Sequence, residues 1–203
     1  EKETIGTSFS EIYGLNDILL EIGITHNRQD CLGVQGIARD LASAGMGELL
    51  ERKISKEKGS FKSPIKIEIQ DNKICSAFVG RYFRNVKNTE SPEWLKNKLK
   101  SIGLRPISAL VDITNFVMYD ENRPLHVYDA DKIDGKIIVR KANDGESFLA
   151  LDEKDYQLKN GMCVIADEKK VLGLGGIMGG ESTGCSTETK NVLLESAIFD
   201  EIN

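Results

Sequence analysis

Between Gly173 and Gly180, five of eight positions are glycine. A backbone with so few side chains turns tightly and is approached closely by something. A phosphate cradle fails in detail. A GxGxxG fingerprint starting at Gly173 needs glycine where Met178 stands, and the Gly-Lys-Ser/Thr of a Walker loop is absent. Two readings stay open: sheet corners packed on one another, or a ligand-facing turn that is not a nucleotide loop. A nucleotide-binding enzyme would rest on this run alone.

The residues around the run read as sheet. Cys163–Ala166 and Val171–Leu174 flank a polar turn at 167–170 and suggest a hairpin, and Asn191–Leu194 suggests a short buried strand. Lys136–Ala142 and Ser147–Leu151, separated by Asn143-Asp144-Gly145, suggest another hairpin. Ile65, Ile67 and Ile69 alternate with polar residues, and 77–83 and 107–118 are rich in β-branched and aromatic residues. Two helices are predicted. Asp30 is read as the N-cap of the first, with Val34, Ile37, Ala38, Leu41 and Ala42 at helical spacing and Gly45 as its stop. Gly33 and Gly36 would let it approach another backbone. The second has Ser91 as N-cap, Pro92 at N1, and Trp94, Leu95, Leu99 and Ile102 on one face. Residues 51–63 read as a linker. The sum is an α+β chain with a small helical N-terminal piece and a sheet-rich second half.

Composition excludes several classes. No apolar run in the 203 residues reaches the ~18–20 that a membrane helix needs, and residues 1–20 lack a secretory pattern. Cys31, Cys75, Cys163 and Cys185 are too scattered for a zinc site, and only His26 and His126 are available, so no metal is expected. A charged start without Met and an end on Asp200-Glu201-Ile202-Asn203 suggest a piece of a longer protein. The net charge of −5 averages three blocks: −5 over 1–50, +7 over 51–100 and −7 over 101–203. The basic middle suits a polyanion or a solvated lysine-rich face.

Three residues stand out as candidates for chemistry. His126, after a Pro turn, is either structural or the group that transfers a proton or orients a water. Glu195 interrupts an apolar strand, where a carboxylate needs a partner: a buried basic group or amide, or a ligand donor. Arg105, beside Pro106, could be that partner or a phosphate contact. His26 reads as a loop residue without chemistry.

The motifs in series resemble one family. Thr25-His26-Asn27-Arg28-Gln29-Asp30-Cys31 with Gly36–Asp40, Val111–Val117, Pro124-Leu125-His126-Val127-Tyr128-Asp129, Gly176–Glu181 and Thr189–Ala197 resemble, in order and spacing over about residues 20–199, bacterial phenylalanyl-tRNA synthetase β subunits. The resemblance implies a helical B1-like segment over 1–50, a linker over 51–63, and over 64–203 a sheet-rich, three-layer B3/B4 editing domain that is C-terminally truncated. It implies hydrolysis of mischarged Tyr-tRNA(Phe). In this role Glu195 would read the tyrosyl hydroxyl, His126 would lie near the scissile ester, and Arg105 would meet the tRNA 3′ end. Gly179, with Gly180 beside it, would keep room for substrate. The implied partners are tRNA(Phe) and the synthetase α subunit in an αβ heterotetramer, in the cytoplasm, with no membrane or DNA. No cofactor is implied for this chain, since ATP and Mg belong to the parent complex elsewhere.

This chain departs from the family pattern at Gln29, at Asn122-Arg123, and at Asp152-Glu153. The family's pocket also uses a Thr-x-Ala-Ser segment downstream of Asn203. The competing reading is therefore a non-catalytic tRNA-docking module with an incomplete pocket.

Overall fold

The computed structural model describes residues 4–201. Residues 1–3 and 202–203, which carry part of the expectation of an excised piece, lie outside the described residues. The chain divides into two compact units. One holds the described residues up to Leu50 together with Thr89–Arg123; the other holds Glu51–Asn88 and everything from Pro124 onward. The helical segment 89–123 thus packs with the N-terminal piece, although its sequence position suggests the body that follows.

The first unit contains α1 (Phe9–Ile12), α2 (Val34–Ser43), α3 (Glu93–Ser101) and α4 (Ala109–Glu121). Trp94 of α3 meets Phe116 of α4 edge-on at 5.6 Å, and Leu95 and Leu99 are buried. The close approach foreseen at Gly33 and Gly36 is present. A Cβ at Gly33 would meet the Asn122 backbone nitrogen at 2.6 Å, and one at Gly36 would overlap the Asp30 carbonyl.

Both helix caps differ from expectation. α2 starts from Gly33, while Asp30 sits in a 3-10 turn and pairs with Arg28 and Arg39. The N-cap of α3 is Pro92, because the Ser91 hydroxyl donates to Asp112 at 2.5 Å instead. Residues 107–118, rich in β-branched side chains, form most of α4 rather than a strand. Intrinsic propensity is overruled by tertiary context. In the first turn of α4 the Asp112 carboxylate, 1% exposed, accepts from both Ser91 and the Ile107 amide. At the other end Asn122 adopts the left-handed conformation that closes helices.

The second unit is built of sheet. Its strands are β1 (Ile67–Ile69), β2 (Cys75–Phe83), β3 (His126–Asp129), β4 (Ile137–Lys141), β5 (Ser147–Leu149), β6 (Asp155–Gln157), β7 (Cys163–Ala166), β8 (Val171–Leu174), β9 (Met178–Gly179) and β10 (Val192–Phe199). They form a five-stranded sheet β1-β4-β7-β8-β9, a three-stranded sheet β2-β10-β3 and the pair β5-β6. The molecule is α+β, as the sequence indicates.

Strand β7 is buried along its whole length and shows how the layers meet. Cys163 and Ile165 face a core shared with Cys75 and Phe78 of β2, Tyr128 of β3 and Leu193 of β10. Val164 points the opposite way, into a second cluster with Phe148, Ala150 and Val171. A period of two with both faces apolar is what a central strand needs. The β7–β8 hairpin forms as read, its turn held by Asp167, which accepts from the Lys169 and Lys170 amides. The other proposed hairpin does not form. β4 pairs with β1 and β7, while β5 leaves for β6. The last strand is longer than expected and occupies the centre of the three-stranded sheet.

Candidate functional site

The glycine run is a second hairpin continuing the sheet. β8 turns through Leu174–Ile177 into β9, pairing Gly173 with Gly179, and Gly176 takes the positive φ (71°) that the turn demands. Three of its amides are already engaged: Gly175 donates to Cys163, Ile177 to Leu174, and Gly180 to Leu172. These donors are therefore unavailable to a phosphate, which removes the basis for a nucleotide site.

One face of this hairpin bounds a cavity of about 260 Å³. The opposite wall is the three-stranded sheet, with His126 and Tyr128 from β3 and Glu195, Ala197 and Phe199 from β10. The register explains this convergence. Glu195 lies directly across from His126, and Tyr128 is two residues further along β3, so all three side chains share one face. The volume is just below the ~300 Å³ at which ligand pockets begin, enough for one amino-acid-sized group.

The cavity holds three polar side chains in an apolar frame. Glu195 is 6% exposed, and the Tyr128 hydroxyl donates to its Oε2. Burial pushes the Glu195 carboxyl up to about 7, against the opposing pull of that hydrogen bond. Burial also raises Tyr128 well above the usual phenol range, so it stays a donor. The His126 ring meets Tyr128 edge-on at 4.4 Å. Its desolvated imidazole is held down to about 4 and is neutral at pH 7. His126 Nε2 is buried and has no hydrogen-bond partner. An unsatisfied buried nitrogen beside a cavity is costly unless something enters to meet it.

Gly179 serves the site in a specific way. A Cβ there would collide with the His126 ring and sit 3.0 Å from Leu151 Cδ1. The missing side chain makes room for the imidazole. Gly180 does not line the cavity; it is buried against the Leu172 carbonyl, where a Cβ would come within 2.5 Å. Arg105 is exposed in the connection between α3 and α4, in the first unit, and is not among the lining residues. Among the described residues no group of three His, Cys, Asp or Glu side chains is arranged to hold a metal, and no helix is long and apolar enough to cross a membrane.

Residues 74–203 match the B3/4 domain family. The chain belongs to that family. The B3/4 match takes in every strand of the cavity wall, from β2 to β10. The chain is 54% identical over 199 residues to the phenylalanine–tRNA ligase β subunit of Bradyrhizobium diazoefficiens, covering 98% of this chain and 25% of that protein. The corresponding protein of Brucella melitensis is 51% identical over 203 residues, with the same coverage. The chain thus spans about a quarter of the length of the curated relatives it matches. A solved N-terminal fragment of the phenylalanyl-tRNA synthetase β subunit from Pyrococcus horikoshii is similar at 20% identity and a TM-score of 0.49, over 86% of this chain and 54% of that one.

Sequence reasoning missed Tyr128 as a member of the B3/4 cavity. The signal was available: Tyr128 follows His126 by two within a strand-like segment, which places both on one face.

Proposed function

We propose that the cavity is the hydrolytic editing site of a phenylalanine–tRNA ligase β subunit, acting on Tyr-tRNA(Phe). The observation that carries the reading is a buried carboxylate, Glu195, beside an unsatisfied His126 Nε2 on one wall of a single cavity. A pocket fitted to phenylalanine cannot strongly reject a substrate that only adds a hydroxyl. A second pocket ending in a buried acceptor discriminates the other way, because a phenylalanyl group leaves that acceptor without its donor. The ionised Glu195 carboxylate accepts the tyrosyl O–H.

The chemistry is attack of water on the aminoacyl ester, with release of the ribose hydroxyl. An ester of this kind needs a positioned water and a stabilised oxyanion more than a strong base. With its imidazole held down to about 4, His126 is a weak base and a good orienting partner. Nε2 is closed off in the resting structure, and a turn of the ring toward the cavity brings it to hold the water or the leaving oxygen by a hydrogen bond. Arg105, exposed in the first unit, offers a planar guanidinium suited to a phosphate of the tRNA. The tRNA, the α subunit and the ATP- and Mg-dependent activation step belong to this reading through the synthetase family it implies.

The test is deacylation of purified Tyr-tRNA(Phe) by the full-length subunit in its assembled enzyme. His126→Ala should slow hydrolysis at least tenfold while leaving tRNA affinity within about twofold. A variant that loses affinity and hydrolysis in proportion would favour a docking module instead.

A further inference from the structure

We propose that Tyr128 is a positioning residue for specificity: its hydroxyl holds one oxygen of Glu195 so that the other is presented to the phenol of a bound tyrosyl group. The inference rests on the editing reading given above and deepens it.

The geometry supplies the argument. The Tyr128 hydroxyl donates to Glu195 Oε2, and among the described residues no donor reaches Oε1. Oε1 is also not among the fully buried polar atoms left without partners, and Glu195 lines the cavity. The carboxylate therefore has one oxygen tied and one open. Tyr128 itself cannot swing. It is 1% exposed, packed in the core between the two sheets, with the His126 ring edge-on against it. A donor fixed by packing holds its acceptor in one orientation at little entropic cost.

Without that hydroxyl two things change. The carboxylate loses its one donor and becomes free to rotate. It also loses the interaction that favours its charged form, so burial drives it further toward the protonated state, in which one oxygen carries a hydrogen. The other titratable groups facing it are His126 from β3, Cys75 from β2 and Cys163 from β7. The imidazole is neutral and burial raises both thiols, so none supplies a compensating charge at neutral pH.

The experiment measures deacylation of Tyr-tRNA(Phe) and Phe-tRNA(Phe) from pH 6 to 9, with the assembled full-length enzyme carrying Tyr128→Phe, Glu195→Ala or both. Aminoacylation of tRNA(Phe) serves as the control for folding. Tyr128→Phe keeps the ring and its packing. It should cut the tyrosyl-over-phenylalanyl preference about tenfold at pH 7.5 and move the rise of that preference to higher pH. In the Glu195→Ala background it should change neither. A Tyr128→Phe enzyme with wild-type preference and pH profile overturns the proposal, as does an equal loss with and without Glu195. A wild-type enzyme with no preference for the tyrosyl ester overturns the editing reading and this inference with it, so the two failures are distinguishable.

Discussion

At the scale of single residues the site is a balance of two buried titratable groups with opposite effects on stability. Glu195 rises from 4.5 to about 7 on folding, so between those values the folded chain binds more protons than the unfolded one. Stability falls as pH climbs through that window. His126 drops from 6.5 to about 4, so the unfolded chain binds more protons and stability rises as pH climbs from 4 to 6.5. The two trends oppose each other below pH 6.5, and the Glu195 trend remains above it. Replacing Glu195 with Gln removes one arm. From pH 5 to pH 8, Glu195→Gln should gain about 2–3 kcal/mol relative to the wild type. Urea unfolding at the two pH values checks this, and parallel pH curves for both proteins would show that Glu195 ionises normally.

At the scale of elements, close approaches position the groups. The β8–β9 hairpin carries Gly179 under the His126 ring, and α2 carries Gly36 against the Asp30 carbonyl. Gly179→Ala should displace the imidazole and lower ester hydrolysis by tenfold or more, since small misplacements of a reacting group cost that much. A melting temperature within a few degrees of wild type would separate this from unfolding. Gly36→Ala should leave the cavity intact but destabilise the first unit by about 1–3 kcal/mol, from overpacking against backbone. Hydrogen exchange in α2 and α4 reads that loss.

Elements with one buried periodic face were legible from the sequence, and elements defined by their partners were not. The β7–β8 hairpin was readable because its turn is local: Asp167 binds amides two and three residues on. β4 and β5 were misread as a hairpin because their true partners, β1, β7 and β6, lie elsewhere in the chain. α4 was misread because its β-branched composition favours strand, while its helix start depends on Ser91, eighteen residues before Ala109. Within the site, Glu195 stood out as a carboxylate in an apolar strand and His126 as a lone histidine after a Pro turn. Tyr128 did not, because a tyrosine in a strand is unremarkable until its hydroxyl is seen to meet a carboxylate.

At the scale of the whole molecule, two surface properties matter. Ile18, Leu19, Leu20 and Leu50 are largely exposed, and the chain is about a quarter of its relatives' length. Exposed apolar side chains, three of them consecutive in the chain, favour association. Sedimentation of the 203-residue chain should show concentration-dependent self-association that Ile18→Ser with Leu20→Ser suppresses; a monomer at all concentrations would contradict it. The basic middle of the chain is also less uniform than its charge suggests. Lys96 is already paired with Glu93 at 2.5 Å and Glu90 at 3.5 Å, whereas Lys98 and Lys100 are exposed on the last turn of α3. Charge reversal at Lys98 and Lys100 should therefore weaken tRNA binding and reduce its salt dependence more than reversal at Lys96.

The central claim is that a buried carboxylate in this cavity reads a phenolic hydroxyl. The most direct measurement compares Tyr-tRNA(Phe) and Phe-tRNA(Phe) as deacylation substrates for the assembled full-length enzyme with and without Glu195→Ala. A strong wild-type preference for the tyrosyl ester that collapses toward unity in the variant, with phenylalanyl hydrolysis unchanged or raised, is the predicted result. An undiminished preference in Glu195→Ala would contradict it.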